Sequence, residues 1–321
     1  MKPLADARFT EVGAAAGHYE SWFVKGNHPS EPKAFWLRHT VHQRPGEAQT
    51  ASLWLTLFDG DEVRAGKQTV AAPRVPEGGH VAIAGAQLHP GRAKGALTCA
   101  TLDAAWDLTF ATGDEEQRHL PYAWMYDAPV PRTKSGTPYP GVTFGGRVGP
   151  FDVDGWTGPV SHNWGSQHAE RWIWLHAPLD GGWLELVLGR IRLGGRTTPW
   201  IANGALQLDG RRHRLGGLDR VRGTRVDEAP TGARFLTSGE DVRVEGEIRA
   251  PARRFVCWRY ADPDGPEHHS AHCSVADLRL EVRAAGAPPR VQEATGRASY
   301  ELGMRETDHG LEVQPFDDGR L

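Results

Sequence analysis

Short apolar or alternating runs, separated by glycine and proline, extend along the whole chain and restrict its fold more than any other feature. Clear examples are AFWLRHTVH at 34–42, TASLWLTLFD at 50–59, DVRVEGEIRA at 241–250 and SVADLRLEVRA at 274–284. The 39 glycines and 23 prolines are scattered between such runs rather than gathered in one linker. Helical periodicity is weak, with one short candidate around 113–121. This pattern of many strands joined by turns predicts an all-β sandwich or barrel.

One hairpin follows directly from the local sequence. RWIWLHA at 171–177 and GWLELVLGRI at 182–191 flank the loop PLDGG, whose glycines permit the positive φ of a tight turn. Because side chains alternate across a strand, one face of the hairpin is aliphatic and the other is aromatic and polar. The second face carries Trp172, Trp174 and His176 on one strand and Trp183, Glu185 and Val187 on the other.

The length of 321 residues fits two domains of ordinary size. A faint internal repeat, WLTL at 54–57 and WLEL at 183–186, favours two related halves. We therefore predict two lipocalin-like antiparallel β-barrel domains in tandem, 1–157 and 158–321. The irregular stretch GGRVGPFDVDGWTGP lies at the proposed boundary.

Charge and apolar content exclude several classes of protein. The formal net charge is −3 with no basic stripe, so we expect no nucleic-acid partner. No run approaches the ~20 apolar residues of a membrane helix, and the first residues lack the apolar core of a secretion signal. The three cysteines are far apart and predict no disulfide framework. We expect a cytoplasmic protein without stable membrane insertion, for which a transient membrane contact stays open.

Two dense clusters of aromatic and ionisable residues could carry chemistry. They are GHYESWF at 17–23 and GPVSHNWGSQHAERWIWLHA at 158–177. Their histidine spacing does not match a zinc signature, although a loop at Gly165 could bring His162 and His168 to one metal. The histidines of PEHHSAHCS at 266–274 also match no metal motif, and nucleophile-elbow and phosphate-loop motifs are absent. A polar loop is the simpler reading of that segment.

Acid–base chemistry in an aromatic pocket is the remaining possibility. If 18–23 is a strand, His18, Glu20 and Trp22 share one face, while Tyr19, Ser21 and Phe23 share the other. A carboxyl group among indoles is poorly solvated, so we expect the pKa of Glu20 to rise and its side chain to hold a proton near pH 7. The simpler reading makes Glu20 an exposed strand residue and the tryptophans a core.

Several motifs, in order along nearly the whole chain, resemble one known group of proteins. They are HYESWF, AFWLRHTV, SLWLTLFD, SHNWG with RWIWLH, GALQLDG, and YADPDG followed by HCSVADLRLEV. Together they are similar to the superfamily of carotenoid 1,2-hydratase (hydroxyneurosporene synthase) and the AttH-like proteins, and HNWG is the most specific element. The resemblance implies tandem calycin-type barrels, a pocket for an apolar ligand, and reactions that need no metal or organic cofactor.

The favoured function is a cofactor-free hydratase, lyase, isomerase or cyclase acting on an apolar polyene, terpenoid or polyketide. The predicted catalytic residues are Glu20 as general acid, His162 as a group that positions water or takes a proton, and Glu185. The predicted substrate-binding residues are Tyr19, Trp22, Asn163, Trp164, His168, Trp172, Trp174 and His176. Two alternatives stay open: a carrier of a hydrophobic small molecule without catalysis, and a metal enzyme that uses His162, His168 and a third ligand.

Overall fold

The computed structural model describes residues 2–112, 115–265 and 267–314, and two large antiparallel sheets dominate them. The predicted all-β class is confirmed, since the helical segments of these residues are short 3-10 turns of three to six residues. The four turns are Phe9–Glu11, Ala123–Tyr126, Leu218–Gly223 and Ala252–Arg254. The helix expected around 113–121 is wrong at 117–118, where two residues pair as a strand, and its positions 113–114 lie outside the described residues.

The first sheet has twelve strands and extends from residue 18 to residue 165. Its strands are β1 (His18–Asn27), β2 (Lys33–Gln43), β3 (Thr50–Asp59), β4 (Glu62–Ala71), β5 (Val81–Ile83), β6 (Ala86–His89), β7 (Arg92–Thr98), β8 (Asp103–Phe110), β9 (Gln117–Arg118), β10 (Thr133–Val148), β11 (Phe151–Asp152) and β12 (Thr157–Gly165). Their order is β4-β3-β2-β1-β12-β10-β8-β7-β6-β5, with β9 and β11 paired to β10.

The second sheet has ten strands and contains the predicted hairpin. Its strands are β13 (Arg171–Leu179), β14 (Gly182–Arg190), β17 (Ile201–Leu208), β18 (Arg211–Gly216), β19 (Arg225–Ala229), β20 (Gly232–Ser238), β21 (Val242–Arg249), β22 (Val256–Ala261), β23 (Glu267–Ala284) and β24 (Arg290–Met304). Their order is β18-β17-β14-β13-β24-β23-β21-β20-β19, with β22 paired to β23. A separate small hairpin joins β15 (Arg192–Leu193) and β16 (Arg196–Thr197).

Both sheets are barrel-like but not closed. In each sheet, the first strand in the chain pairs with the last. The sheet stays open between two consecutive strands that do not pair, and we call this opening the seam; it lies between β4 and β5 in the first sheet and between β18 and β19 in the second. Strand β4 lies close to the end of β7 instead, because a Cβ added to Gly66 on β4 would lie 2.7 Å from Sγ of Cys99, the residue after β7. Strand β12 belongs to the first sheet, because it pairs with β1. The domain limits 1–157 and 158–321 stay a prediction.

The two sheets share an apolar interface that positions the site. Along β2, Phe35 and Leu37 enter the core of the first sheet. The alternate residue Trp36 belongs to the second core and packs near Trp258, with ring centroids 6.3 Å apart. Because successive side chains point to opposite faces, one strand can serve both cores. The face of β1–β3 that points away from the first core therefore packs against the second sheet.

Candidate functional site

An aromatic chamber of about 190 Å³ lies between the two sheets. The first sheet and the loop before β10 contribute Phe23, Trp36, Arg38, His119, Leu120, Met125, Ser135 and Asn163 to its lining. The second sheet contributes Trp172, Trp174, Val187, Ile201, Asn203, Tyr260 and Glu301. The strand alternation predicted for β1 and β13 is confirmed, since Phe23, Trp172 and Trp174 face this chamber together.

A wider and more polar cleft of about 650 Å³ adjoins the chamber. It is lined by residues of β2, β3 and β4, including His42 and Thr69, and by Arg44 directly after β2. Three residues border both cavities: Arg38, His168 and Tyr260. These three side chains therefore form the junction between the cleft and the chamber.

His168 is held in one orientation by a buried carboxylate. Nδ1 of His168 lies 2.7 Å from Oδ1 of Asp262, and the backbone N–H of His168 donates to the same oxygen over 2.8 Å. A carboxylate can only accept, so Nδ1 carries the proton and Nε2 is left as the basic atom. Burial lowers the pKa of His168 although the bond to Asp262 opposes this shift. The ring is thus a neutral base at pH 7, and Tyr19 stacks on it at 3.9 Å.

Arg38 places a guanidinium group at the same junction. Its charge lies 4.1 Å from the ring centroid of Tyr260 and 5.7 Å from that of Trp36. Nε of Arg38 donates to the hydroxyl of Ser21 over 2.5 Å. Only 5% of Arg38 is exposed, and stacking on aromatic rings is a favourable setting for a desolvated guanidinium. The group can stabilise negative charge on a ligand oxygen.

Glu301 forms a polar part of the chamber wall. Nε1 of Trp172 donates to its Oε1 over 3.0 Å, and Nδ1 of His272 lies 3.2 Å from its Oε2. Burial raises the pKa of Glu301, but the hydrogen bond and charge of His272, the charge of Arg38 and the bond from Trp172 together bring the pKa below its ordinary value. The second nitrogen of His272 bonds to Ser274 over 2.9 Å. The carboxylate therefore fixes the plane of Trp172.

Glu20 and His162 lie together as expected, but the expected rise in the pKa of Glu20 is wrong. Nε2 of His162 lies 2.9 Å from Oε1 of Glu20, and Nε2 of His18 lies 3.2 Å from Oε2. The amides of Arg8 and Phe9 donate to the two oxygens over 2.8 and 2.6 Å. Burial does raise the pKa, but the bonds from His162 and His18 outweigh it and bring the pKa to about 2. Both oxygens of the Glu20 carboxylate thus already have hydrogen-bond partners.

Trp22 and Trp164 surround this carboxylate rather than line the chamber. Their rings lie 4.3 and 4.7 Å from the ring of His162. Nε1 of Trp22 donates to the carbonyl of Ala5 over 3.0 Å, while Nδ1 of His162 bonds to the carbonyl of Leu4. The cluster therefore holds the N-terminal segment against β1 and β12.

Glu185 and His176 lie in a second buried network, behind Trp174. Nε1 of Trp174 donates to Oε1 of Glu185 over 3.3 Å, and Thr137 of the first sheet donates to the same oxygen over 2.5 Å. Nζ of Lys25 lies 3.2 Å from Nδ1 of His176. Burial lowers the pKa of Lys25 well below its ordinary value despite the charge of Glu185. These groups connect β1 and β10 to β13 and β14.

The structure therefore divides the predicted site residues into three groups. Tyr19, Asn163, His168, Trp172 and Trp174 line the chamber or touch a residue that does. Oδ1 of Asn163 is buried and accepts no hydrogen bond from the described residues, so it is available to a ligand. Glu20, His162, Trp22 and Trp164 form the N-terminal cluster, and Glu185 with His176 forms the network behind Trp174.

Sequence reasoning missed Arg38, Tyr260, Asp262 and Glu301. Arg38 had a detectable signal, because it shares a strand face with Trp36 inside the apolar run AFWLRHTV. Asp262 had none, because YADPDG looks like an ordinary turn and its contact with His168 spans 94 positions of the chain.

Two groups of side chains in the described part of the chain have the composition and spacing of a metal site: His168, Asp262 and His268, and Cys257, His269 and His309. In the first, Asp262 already accepts two bonds from His168, and Nη2 of Arg305 lies 3.9 Å from its other oxygen. That guanidinium supplies positive charge where an ion would bind. His162 belongs to neither group, so the predicted joint use of His162 and His168 is not supported among these residues.

A protein of Mycobacterium tuberculosis is similar in sequence over most of the chain. The chain is 28% identical over 316 residues to the protein Rv0493c of Mycobacterium tuberculosis (strain ATCC 25618 / H37Rv), covering 91% of this chain and 88% of that one. No protein-family model matches.

Three solved structures are similar over most of their length. CghA, solved with Sch210972, has a TM-score of 0.58 at 11% identity, covering 90% of this chain and 89% of that chain. Kievitone hydratase from Nectria haematococca has 0.51 at 10%, covering 96% and 93%. An AttH protein (NE1406) from Nitrosomonas europaea has 0.50 at 14%, covering 92% and 94%.

Proposed function

Since the chain has the fold of the AttH-like and carotenoid hydratase-like proteins, we propose that it is a lyase or isomerase that moves protons on an apolar small molecule. The substrate class is a polyene, terpenoid or polyketide that carries an oxygen function. The observation that supports this proposal best is His168, oriented by Asp262 at the junction of an aromatic chamber and a polar cleft. The name of one structural neighbour, kievitone hydratase, is consistent with such a reaction class.

The proposed chemistry needs a base, a cationic group that stabilises an oxyanion, and an apolar lining that excludes water. Nε2 of His168 removes a proton from carbon next to a carbonyl group, and the electron pair moves to the carbonyl oxygen beside Arg38. The imidazolium, stabilised by Asp262, then returns the proton. If a β-hydroxyl group accepts it, water leaves and an alkene forms; if another carbon accepts it, the double bond moves. No metal or organic cofactor takes part in either sequence.

The aromatic wall supports these steps. The indoles of Trp36, Trp172 and Trp174 bind the apolar part of the ligand and exclude water, which strengthens the interaction between Arg38 and an oxyanion. In this proposal Glu20 and Glu185 are not proton donors. Glu20 holds the N-terminal segment, and Glu185 supports Trp174 from behind.

The test starts with extraction of apolar molecules that copurify with the protein and with incubation of polyenes, terpenoids and polyketides, followed by mass spectrometry. With an identified substrate, His168→Gln should lower kcat at least about a hundredfold while the dissociation constant changes little, since general acid–base catalysis contributes that much or more. His89→Gln, which changes a histidine outside both cavities, is the matched control. Turnover by His168→Gln at the rate of the unmodified protein would contradict the proposal.

A carrier without catalysis is the second candidate, because the chamber lining is mainly apolar and aromatic. A carrier binds the copurified molecule and returns it unchanged. In that case Trp172→Ala should weaken binding strongly, whereas His168→Gln should leave every measured property nearly unchanged. The same pair of variants therefore distinguishes the two functions.

A further inference from the structure

A cluster of one thiol and two imidazoles lies on the second sheet, outside the chamber and the cleft. Sγ of Cys257 on β22 lies 3.8 Å from Nε2 of His309, in the segment after β24. Nδ1 of His269 on β23 lies 2.8 Å from the same nitrogen. One ligand atom from each residue lies within 4.8 Å of the other two. None of the three lines the chamber or the cleft.

The sheet itself brings two of these residues together. Cys257 pairs with Ala271 and Arg259 pairs with His269, so Cys257 and His269 are diagonal neighbours on one face of the β22–β23 pair. The residues beside Cys257, Val256 and Trp258, point into the core on the opposite face.

The third residue, His309, lies on the C-terminal segment 305–314. The amide of Gln314 donates to the carbonyl of Cys257 over 2.9 Å, and Val313 forms a bridge with Cys257. The last part of the segment 305–314 therefore runs parallel to β22 at Cys257, and the same segment brings His309 to the other two side chains.

Cysteine with histidine is the donor set that zinc prefers in proteins. With tetrahedral angles and bonds of about 2.3 Å to sulfur and about 2.05 Å to nitrogen, ligand atoms lie about 3.5 Å apart for a sulfur–nitrogen pair and about 3.3 Å for a nitrogen pair. The distance between Cys257 and His309 is already close to this value. The two imidazoles need to separate by about half an ångström, which surface side chains can do.

Metal coordination would also break one local hydrogen bond of His309. Nδ1 of His309 accepts a bond from the amide of Leu311 over 3.2 Å. If Nε2 binds a metal, the proton of the ring moves to Nδ1 and this bond is lost. The thiol of Cys257 releases one proton, since the thiolate is the ligand. Three protein ligands leave the fourth position to water.

We propose that Cys257, His269 and His309 bind one zinc ion, which fastens the C-terminal segment to the second sheet. This site is independent of the function proposed for the chamber. Without a metal, the same geometry is a hydrogen bond between His309 and His269 beside a buried thiol.

The experiment uses the full-length protein, treated with a chelator and then titrated with cobalt(II) as a spectroscopic substitute for zinc. One equivalent should produce a thiolate-to-cobalt charge-transfer band, and zinc should displace it. Cys257→Ser should lose the band, and His309→Gln should weaken binding at least about tenfold, since even outer partners of metal ligands contribute that much. Cys99→Ser changes a thiol outside the cluster and should keep the band.

Hydrogen exchange supplies a second measurement on the same samples. Zinc should slow exchange over 305–314 in the unmodified protein and not in His309→Gln, whose altered side chain lies at the edge of the fold. Absence of a thiolate band from correctly folded protein would overturn the proposal. A band that survives Cys257→Ser, or disappears in Cys99→Ser, would overturn it as well.

Discussion

Replacement of Glu20 by glutamine tests whether this residue stabilises the fold or donates a proton. In the native protein, the carboxylate accepts bonds from two backbone amides and lies within hydrogen-bond distance of His18 and His162. A glutamine of the same shape directs an NH2 group at some of these donors and leaves them unsatisfied. We expect Glu20→Gln to loosen the segment 2–11 from β1.

The magnitude follows from the pKa of Glu20, which burial raises but the bonds from His162 and His18 bring down from 4.5 to about 2. One pKa unit corresponds to about 1.4 kcal/mol, so the ionised carboxylate contributes about 3 kcal/mol to the free energy of unfolding. The unfolded chain binds the proton first as pH falls, so this contribution is complete above about pH 4.5. By pH 3 about 2 kcal/mol of it should be lost.

The assay is urea unfolding followed by tryptophan fluorescence at pH 7, 5 and 3. Glu20→Gln should be less stable than the unmodified protein by about 3 kcal/mol at pH 7, and this difference should shrink by about 2 kcal/mol at pH 3. Glu11→Gln is the control, because Glu11 is an exposed carboxylate of the same segment paired with Lys2; it should change little. A difference that is constant with pH would refute the reasoning. Unchanged stability with lost turnover would restore Glu20 as the general acid.

Three further predictions concern single side chains. A Cβ at Gly303 would lie 2.1 Å from the ring of Trp172, so Gly303→Ala should cost about 1–3 kcal/mol and weaken ligand binding. Gly223→Ala, at a glycine outside the chamber with open space around it, should do neither, and equal effects would contradict the role of Trp172. His39 is buried with both ring nitrogens unpartnered among the described residues, and burial lowers its pKa to about 3. His39→Leu should therefore increase the free energy of unfolding, measured by thermal unfolding. The increase should be about 2 kcal/mol larger at pH 5 than at pH 7, since only the unfolded histidine takes up a proton; an equal gain at both pH values would be inconsistent with this. Arg38→Met should weaken binding of an oxygen-bearing ligand at least about tenfold by calorimetry and spare a hydrocarbon of the same size; equal losses would remove Arg38 as the oxyanion partner.

The strands and their faces were predictable because they depend on local periodicity. The hairpin of β13 and β14 forms with Ile173 and Leu175 in one core and Trp172 and Trp174 on the opposite face. Its turn is formed by Asp180 and Gly181, and Gly181 has the positive φ (80°) that the sequence indicated. The internal repeat was less informative. WLTL lies on the third strand of the first sheet, whereas WLEL lies on the second strand of the other.

The protonation state of Glu20 was not predictable, because it depends on hydrogen bonds from distant residues. The sequence places Glu20 among aromatic residues, and burial alone would raise its pKa as expected. Only the packing of residues 4–9 and of β12 against β1 supplies the donors that reverse the shift.

By itself, the sequence determined the all-β class, the alternation of faces and the presence of aromatic surfaces with ionisable neighbours, since these follow from a two-residue repeat and from composition. The tertiary structure alone decided which of those surfaces became the chamber. Arg38 lies on β2, His168 lies in the loop after β12, and Asp262 directly follows β22. They meet only because one face of the first sheet packs against the second, and such long-range contacts leave no trace in local sequence patterns.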